Sequence, residues 1–283
     1  MNWVPFVFID DVCHQLKHEA FWPVSQLSGS WSDFGAEHRE KRREFSFRCR
    51  VSNQEVNYSL CERNRAHPRE VTVTDRNLEF DRIIVLACDS GCPMHQRVSL
   101  RELERDILPT IAPLVTNCSL HLFAWCSDQN LMVFKAFKNC PGFREINVTE
   151  QGEESRDFLA RQVELGNVQK LTLYGPGRWP EAENLAETLK IFVSSARFHS
   201  LYSIDPLPND SELCELFLER ALAKELKRGA YIITAATNFD KTRLLALRPD
   251  CRDESKKDAW RIPDSNHRIA LRHDSGMLCV RVE

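Results

Sequence analysis

The chain of 283 residues is 42% hydrophobic and 28% charged, a balance that excludes an intrinsically disordered chain. A net charge of −3 excludes a dedicated nucleic-acid binder, which carries a strong basic excess, and ten glycines are too few for glycine-rich phosphate loops. Eleven cysteines, an odd number without regular spacing, exclude a disulfide framework and point to reduced thiols in the cytosol or nucleus.

The sequons that start at Asn57, Asn117, Asn147 and Asn209 are then incidental. The apolar run from Val4 to Ile9 is cut short by Asp10 and Asp11 and has no basic flank, so it is not a signal peptide. No uninterrupted apolar stretch is long enough to span a bilayer, and the expectation is a soluble protein.

Pro5 suits the first turn of a helix, where its missing N–H has no partner to lose. Phe8, Ile9, Val12 and Leu16 follow at helical spacing on one face. Asp10 and Asp11 early in the helix, and Lys17 and His18 at its end, complement its dipole. Phe21-Trp22-Pro23 is expected to break it, with a short helix over Val24 to Leu27 and a third from Trp31. The basic residues Arg39, Lys41, Arg42 and Arg43 alternate with Glu37, Glu40 and Glu44, the pattern of a solvated helix face rather than a nucleic-acid contact.

From Glu44 the period changes to two. Phe45, Phe47 and Cys49, then Val56, Tyr58 and Leu60, alternate with polar residues as a hairpin does. Val71 to Thr74 is a short extended piece, Phe80 to Leu86 a buried strand, and Cys88 to Pro93 a loop.

A unit then recurs. Phe143-x-x-Ile146-x-Val148, Val168-x-x-Leu171-x-Leu173 and Phe198-x-x-Leu201 share one template, which Phe80-x-x-Ile83-x-Val85 also fits and Leu120-x-Leu122 fits more weakly. Helical stretches separate the copies: Phe158, Leu159, Gln162 and Val163 in one, Leu185, Thr188, Leu189, Phe192 and Val193 in the next, Leu213, Phe217, Leu222 and Leu226 in the third. Asn209 and Glu212 form a candidate capping box for that third helix, Lys224, Lys227 and Arg228 fill its last turn, and Gly229 stops it. Ala230 to Thr234 is the next strand. One strand and one helix every roughly 25 to 30 residues is the layout of a solenoid related to leucine-rich repeats, in which each unit buries its apolar face only against neighbours. After a polar loop from Asp250, Arg268 to Val282 reads as a terminal hairpin turned by Asp274-Ser275-Gly276.

The N-terminal residues resemble an F-box. Val4-Pro5 stands at its Leu-Pro-like opening, Phe8-Ile9-x-x-Val12-x-x-x-Leu16 at its apolar helix, and Leu27-Ser28-x-x-Trp31 at the start of its last helix. Val4 in place of leucine and the bulky Phe21-Trp22-Pro23 link depart from that pattern. The whole chain is similar in layout to the nematode families of F-box-containing proteins, most of all over Val4 to Trp31 and Val163 to Gly229. The resemblance implies that Pro5, Phe6, Phe8, Ile9, Val12, Leu16, Leu27 and Trp31 pack on a Skp-type adaptor of a cullin–RING ubiquitin ligase, and that the repeats hold a protein substrate. An amphipathic N-terminal helix packed on the protein's own core is the plainer reading of the same residues.

Other chemistry is thinly represented. Cys88, Cys92, His95, Cys118 and Cys126 lack paired Cys-x2-Cys spacing, so no metal is expected. No hydrolase, Walker-type or His-Glu-x-x-His motif is present, and no cofactor is implied. His121 and His199 fall in strands, where a surface or hydrogen-bonded core role is the rule. Tyr174-Gly175-Pro176-Gly177-Arg178-Trp179-Pro180 is expected as an exposed loop, with Tyr174, Arg178 and Trp179 as candidate substrate contacts or, equally, as a rigid turn. The expectation is therefore an α/β fold, with α+β as its variant. It has an F-box-like module over 1–45, a strand–helix repeat domain over 46–249 and a loop with a hairpin over 250–283. Its function is interaction rather than catalysis. The alternatives are an interaction domain with a vestigial F-box and an unrecognised α/β hydrolase-like enzyme.

Overall fold

A computed structural model describes residues 4–16, 21–41, 43–52, 55–62, 78–86, 96–122, 127–175, 179, 183–235, 246, 249–251, 258–263, 265–274 and 277–283. The chain divides into two compact units, Met1–Ala136 and Phe137–Glu283. The helical module shares its unit with the strands that follow it. The extended piece at 71–74 and the loop at 88–93 lie outside the described residues.

The first unit opens with three helices, α1 (Phe6–Gln15), α2 (Phe21–Ser25) and α3 (Ser30–Lys41). Pro5 is the N-cap of α1 rather than its first helical residue, and its carbonyl accepts from the Phe8 and Ile9 amides. Pro23 does not break a helix; it sits in the first turn of α2, where the unused N–H is no loss. Five strands follow: β1 (Arg43–Ser52), β2 (Glu55–Glu62), β3 (Leu78–Leu86), β4 (Gln96–Ser99) and β5 (Cys118–Leu122). Their order is β4-β2-β1-β3-β5. The hairpin forms as its alternation predicts, with Phe47 opposite Leu60 and Cys49 opposite Tyr58. β3 runs parallel to β1 and β5, setting Ile83 between Phe47 and Leu120, and all three are buried.

Between β4 and β5 lies a helical stretch that the sequence periods do not reveal: α4 (Leu100–Glu102), a π turn (Leu103–Ile107), α5 (Leu108–Ile111) and a final 3-10 turn. Ser99 and Glu102 cap it reciprocally. The wide π turn directly precedes Pro109, which has no N–H to continue an α-helical ladder. A further helix, α6 (Ser127–Phe137), closes the unit's sequence.

The second unit alternates β6 (Phe143–Thr149), α7 (Glu153–Glu164), β7 (Lys170–Tyr174), α8 (Glu183–Ser194), β8 (Ser200–Ser203), α9 (Asp210–Leu222) and β9 (Tyr231–Ala235). β6, β7, β8 and β9 are parallel neighbours in chain order. Antiparallel β12 (Met277–Val282), β11 (Arg268–Asp274) and β10 (Ala259–Arg261) complete the sheet beyond β9. This is the α/β architecture that the alternating periods predict.

The recurring apolar template is the sheet's register. Ile146, Leu171, Leu201 and Ile232 stand side by side on consecutive strands, and Val280 and Leu271 extend the row across β12 and β11. All six are buried. Each contributes about 1.5–3 kcal/mol by leaving water. The Phe that opens a copy packs edge-on against the preceding helix, as Phe143 does on Phe137 (5.6 Å between centroids) and Phe198 on Phe192 (5.2 Å). Phe198 also meets Phe217 of α9.

Polar side chains tie helices to the segments before them. Gln162 of α7 donates to the Phe137 and Lys138 carbonyls, at 2.9 and 3.0 Å. Arg220 of α9 donates to the Val193 and Ser195 carbonyls at the end of α8 and to Glu225. These groups satisfy carbonyls that a helix C-terminus leaves open.

The ends of α9 differ from expectation. Asn209 is its N-cap but adopts a left-handed conformation (φ 56°) and makes no side-chain cap, so no capping box forms. The helix ends at Leu222, earlier than Gly229, with Lys224 taking the left-handed position (φ 64°). Gly229 also has positive φ, in the turn where its amide bonds to the Val282 carbonyl. No helix among the described residues is long and apolar enough to cross a membrane.

Candidate functional site

The three N-terminal helices build a small core of their own. Ile9 and Cys13 are buried on one face of α1, and Val4, Leu16, Val24, Trp31 and Phe34 pack around them. α2 reaches α3 at Gly35, where a Cβ would lie 2.8 Å from the Val24 side chain and 2.9 Å from the Ser25 amide nitrogen. His38, buried on α3, meets the Asp10 carboxylate of α1 at 2.8 Å. This His–carboxylate pair ties two helices together. Ser32 Oγ donates to the Ser25 carbonyl and fixes the α2–α3 join.

With the core filled, other apolar side chains remain in water. Phe6 is 65% exposed, Val7 72%, Phe8 53%, Trp22 58% and Leu27 52%. Phe6 lies over Phe34 (6.0 Å between ring centroids) but keeps most of its surface free. Of the residues that the F-box resemblance implicates, Pro5, Phe6, Phe8 and Leu27 are exposed, Val12, Leu16 and Trp31 are partly buried, and Ile9 is buried. Ile9, Leu16 and Trp31 therefore belong to the module's own core rather than to an outward face. Helical period alone grouped Phe8 with Ile9; packing separates them, because α3 covers the Ile9–Cys13 side of α1. Val7 and Trp22 are exposed members that the spacing argument passed over.

The loop after β7 is placed differently from expectation. Trp179 is buried at 1% rather than exposed, and Tyr174 is half-buried at the end of β7. A large aromatic side chain gains more from burial than a Gly/Pro-rich context suggests. Arg178 lies outside the described residues. The described residues after β7 thus offer no exposed aromatic pair.

A polar cluster that sequence reasoning missed lies at the ends of β8 and β9. There the repeat template changes from Val148 and Leu173 to the buried Ser203, with buried Thr234 at the end of β9. Ser203 Oγ donates to the Asp205 carbonyl at 2.8 Å, and Thr234 Oγ1 to Asp210 Oδ2 at 3.3 Å. Burial raises the Asp205 carboxyl and pushes Asp210 up to about 7, against the lowering effect of the Leu207 amide and Thr234 hydroxyl. Burial, with Asp210 and Glu215 nearby, also raises the Cys214 thiol, which stays protonated and unreactive. The break in the template at Ser203 was the available signal. The cluster closes the β8–α9 loop on itself.

Cys118, the one cysteine of the scattered set within the described residues, is buried in β5 with its thiol on the Ser119 carbonyl. Cys88, Cys92, His95 and Cys126 lie outside the described residues. Among the described residues no group of three or more His, Cys, Asp or Glu side chains could hold a metal ion.

No protein-family model matches the chain, and no curated protein matches it. Among solved structures, the MycE methyltransferase from the mycinamycin biosynthetic pathway, in complex with Mg and SAH, aligns over 98% of this chain and 92% of its own. The identity is 8% and the TM-score 0.25, a likeness that carries no argument about fold or activity.

Proposed function

We propose that this protein is an interaction protein whose N-terminal helices dock on a Skp-type adaptor of a cullin–RING ubiquitin ligase, while its α/β region holds the protein to be modified. The observation that carries the reading is the exposure of Phe6, Val7, Phe8, Trp22 and Leu27 on a helical module that has already filled its own core. Large aromatic and aliphatic side chains concentrated in one short segment are the anchors of helix-on-helix interfaces. The ordered Val4-Pro5, Phe8 and Leu27-Ser28-x-x-Trp31 pattern supplies the identity of the partner by resemblance.

The test is co-purification of the full chain with a Skp-type adaptor. Phe8→Asp/Leu27→Asp alters only exposed side chains, so helix content stays unchanged while adaptor capture falls at least about tenfold, the equivalent of roughly 1.4 kcal/mol. If the wild type captures no adaptor, the module is vestigial. Equal capture by the variant places the contact elsewhere.

A further inference from the structure

The connection between β8 and α9, residues 204–209, is tied down by two hydroxyls and a carboxyl. Ser203 Oγ donates to the Asp205 carbonyl at 2.8 Å and accepts from the Asp205 amide at 3.3 Å. Thr234 Oγ1, at the end of β9, lies 3.5 Å from the same carbonyl and 3.3 Å from Asp210 Oδ2. A hydroxyl has one proton, so Thr234 divides it between these two acceptors. Leu207 and Pro208 are buried, while Ile204 at the start of the connection and Asn209 at its end are exposed. Pro206 and Pro208 have fixed φ. Asn209 keeps a left-handed backbone, φ 56°, which a residue with a Cβ adopts at a cost. A short, stiff segment is thus held between two exposed ends, one of them strained.

The carboxyls at this end of the sheet are short of donors. Asp210 Oδ1 and Asp205 Oδ2 are buried and have no hydrogen-bond partner among the described residues. An ionised carboxylate offers about four acceptor sites and is far more costly to bury unpaired than the neutral acid, so this geometry suits a neutral Asp210. The titratable groups around it are Asp205 in the connection, Cys214 and Glu215 on α9, and Cys279 of β12 beyond Cys214. None of these is a cation. Lys190 of α8 is engaged by Glu212 on the neighbouring turn of α9. Burial raises the Asp210 carboxyl to about 7, in keeping with this geometry, and only the Leu207 amide and the Thr234 hydroxyl favour its charged form.

We propose that residues 204–209 form a latch that neutral Asp210 holds closed and ionised Asp210 releases, freeing the Ser203 and Thr234 hydroxyls at the carboxyl ends of β8 and β9. On release the proton goes to solvent, the carboxylate turns into water, and Asn209 is the hinge that gives up its left-handed strain. The latch goes beyond the docking reading and holds whether or not the N-terminal module meets an adaptor. In the open form the carboxyl is hydrated and titrates near its ordinary 3.8; in the closed form it keeps its proton to higher pH. Opening therefore becomes easier as pH rises from 3.8 to about 7 and changes little above that.

Hydrogen exchange of the full chain at pH 5 and pH 8, corrected for intrinsic exchange rates, reads this opening. Wild-type protection over 204–212 should be lower at pH 8 by on the order of tenfold to a hundredfold. Sub-denaturing urea should leave exchange there unchanged, because a local opening exposes little surface. Asp210→Asn should abolish the fall with pH and keep the segment protected, whereas Asp205→Asn should retain the fall. Thr234→Val removes a hydroxyl that favours the carboxylate, so it should move the fall to higher pH; it keeps the test valid if Asp210→Asn does not fold. The proposal is overturned if wild-type protection is the same at both pH values, if Asp210→Asn retains the fall, or if Asp205→Asn abolishes it. It is also overturned if urea speeds exchange over 204–212 as much as over β6 and β7, which would mean that the segment opens only by global unfolding.

Discussion

Asp210→Asn probes the most displaced carboxyl in the second unit. Asp210 is the first residue of α9, with Oδ2 accepting from Thr234 at 3.3 Å. Two effects compete there. A helix N-terminus favours the carboxylate by about 0.3–1 kcal/mol. Burial opposes it and wins, raising the group from its ordinary 3.8 to about 7. At about 1.4 kcal/mol per pKa unit, the displacement is worth at most about 4 kcal/mol.

The sign follows from proton counting. Between pH 4 and pH 7 the folded chain keeps a proton that the unfolded chain has lost, so stability is full at low pH and falls as pH rises through this window towards the folded value. Asparagine imitates the neutral carboxyl at every pH. Urea unfolding at pH 5 and pH 8, followed by far-UV circular dichroism, should show a gain from Asp210→Asn of about 1–2 kcal/mol at pH 5 that grows to about 3–4 kcal/mol at pH 8. Parallel wild-type and variant profiles across this range would refute the reasoning, since they would mean that Asp210 titrates alike in the folded and unfolded chains.

Arg220→Met should cost about 2–4 kcal/mol in the same unfolding experiment, because it removes charged hydrogen bonds to the Val193 and Ser195 carbonyls at a buried site. Arg161→Met, whose partners Asn139 and Glu164 are at the surface, should cost less than about 1 kcal/mol. Gly35→Val places side-chain carbon against Val24 and the Ser25 backbone, and should loosen the α1–α3 module by about 1–3 kcal/mol. Hydrogen exchange checks this: faster exchange confined to 6–41 is the expected pattern, and unchanged exchange there would mean that the helices adjust without strain.

The strands of the repeat region were legible because their period is local. Phe143-x-x-Ile146-x-Val148 and Val168-x-x-Leu171-x-Leu173 predicted the strands, and the structure adds their register, with Ile146 beside Leu171 and Val148 beside Leu173. The C-terminal hairpin was legible for the same reason, with Leu271 opposite Val280. The stretch from Leu100 to Leu114 was missed although Ser99-x-x-Glu102 announces its start. Its π turn and two prolines break the 3.6 period that reveals a helix. The capping box read at Asn209 failed because spacing does not report φ, and Asn209 stands in the left-handed region with no side-chain cap bond.

The candidate surfaces divide along the same line. The sequence alone determined that an apolar N-terminal helix is followed by strand–helix units with one buried face, because helix and strand periods follow from local backbone geometry. Tertiary structure decided which apolar residues the module keeps: Ile9 goes inside and Phe8 stays out, according to where α3 lies. It also decided that Trp179 is buried and that the Asp210 carboxyl leaves water. Burial depends on segments far apart in the chain approaching in space, and no local pattern encodes that approach.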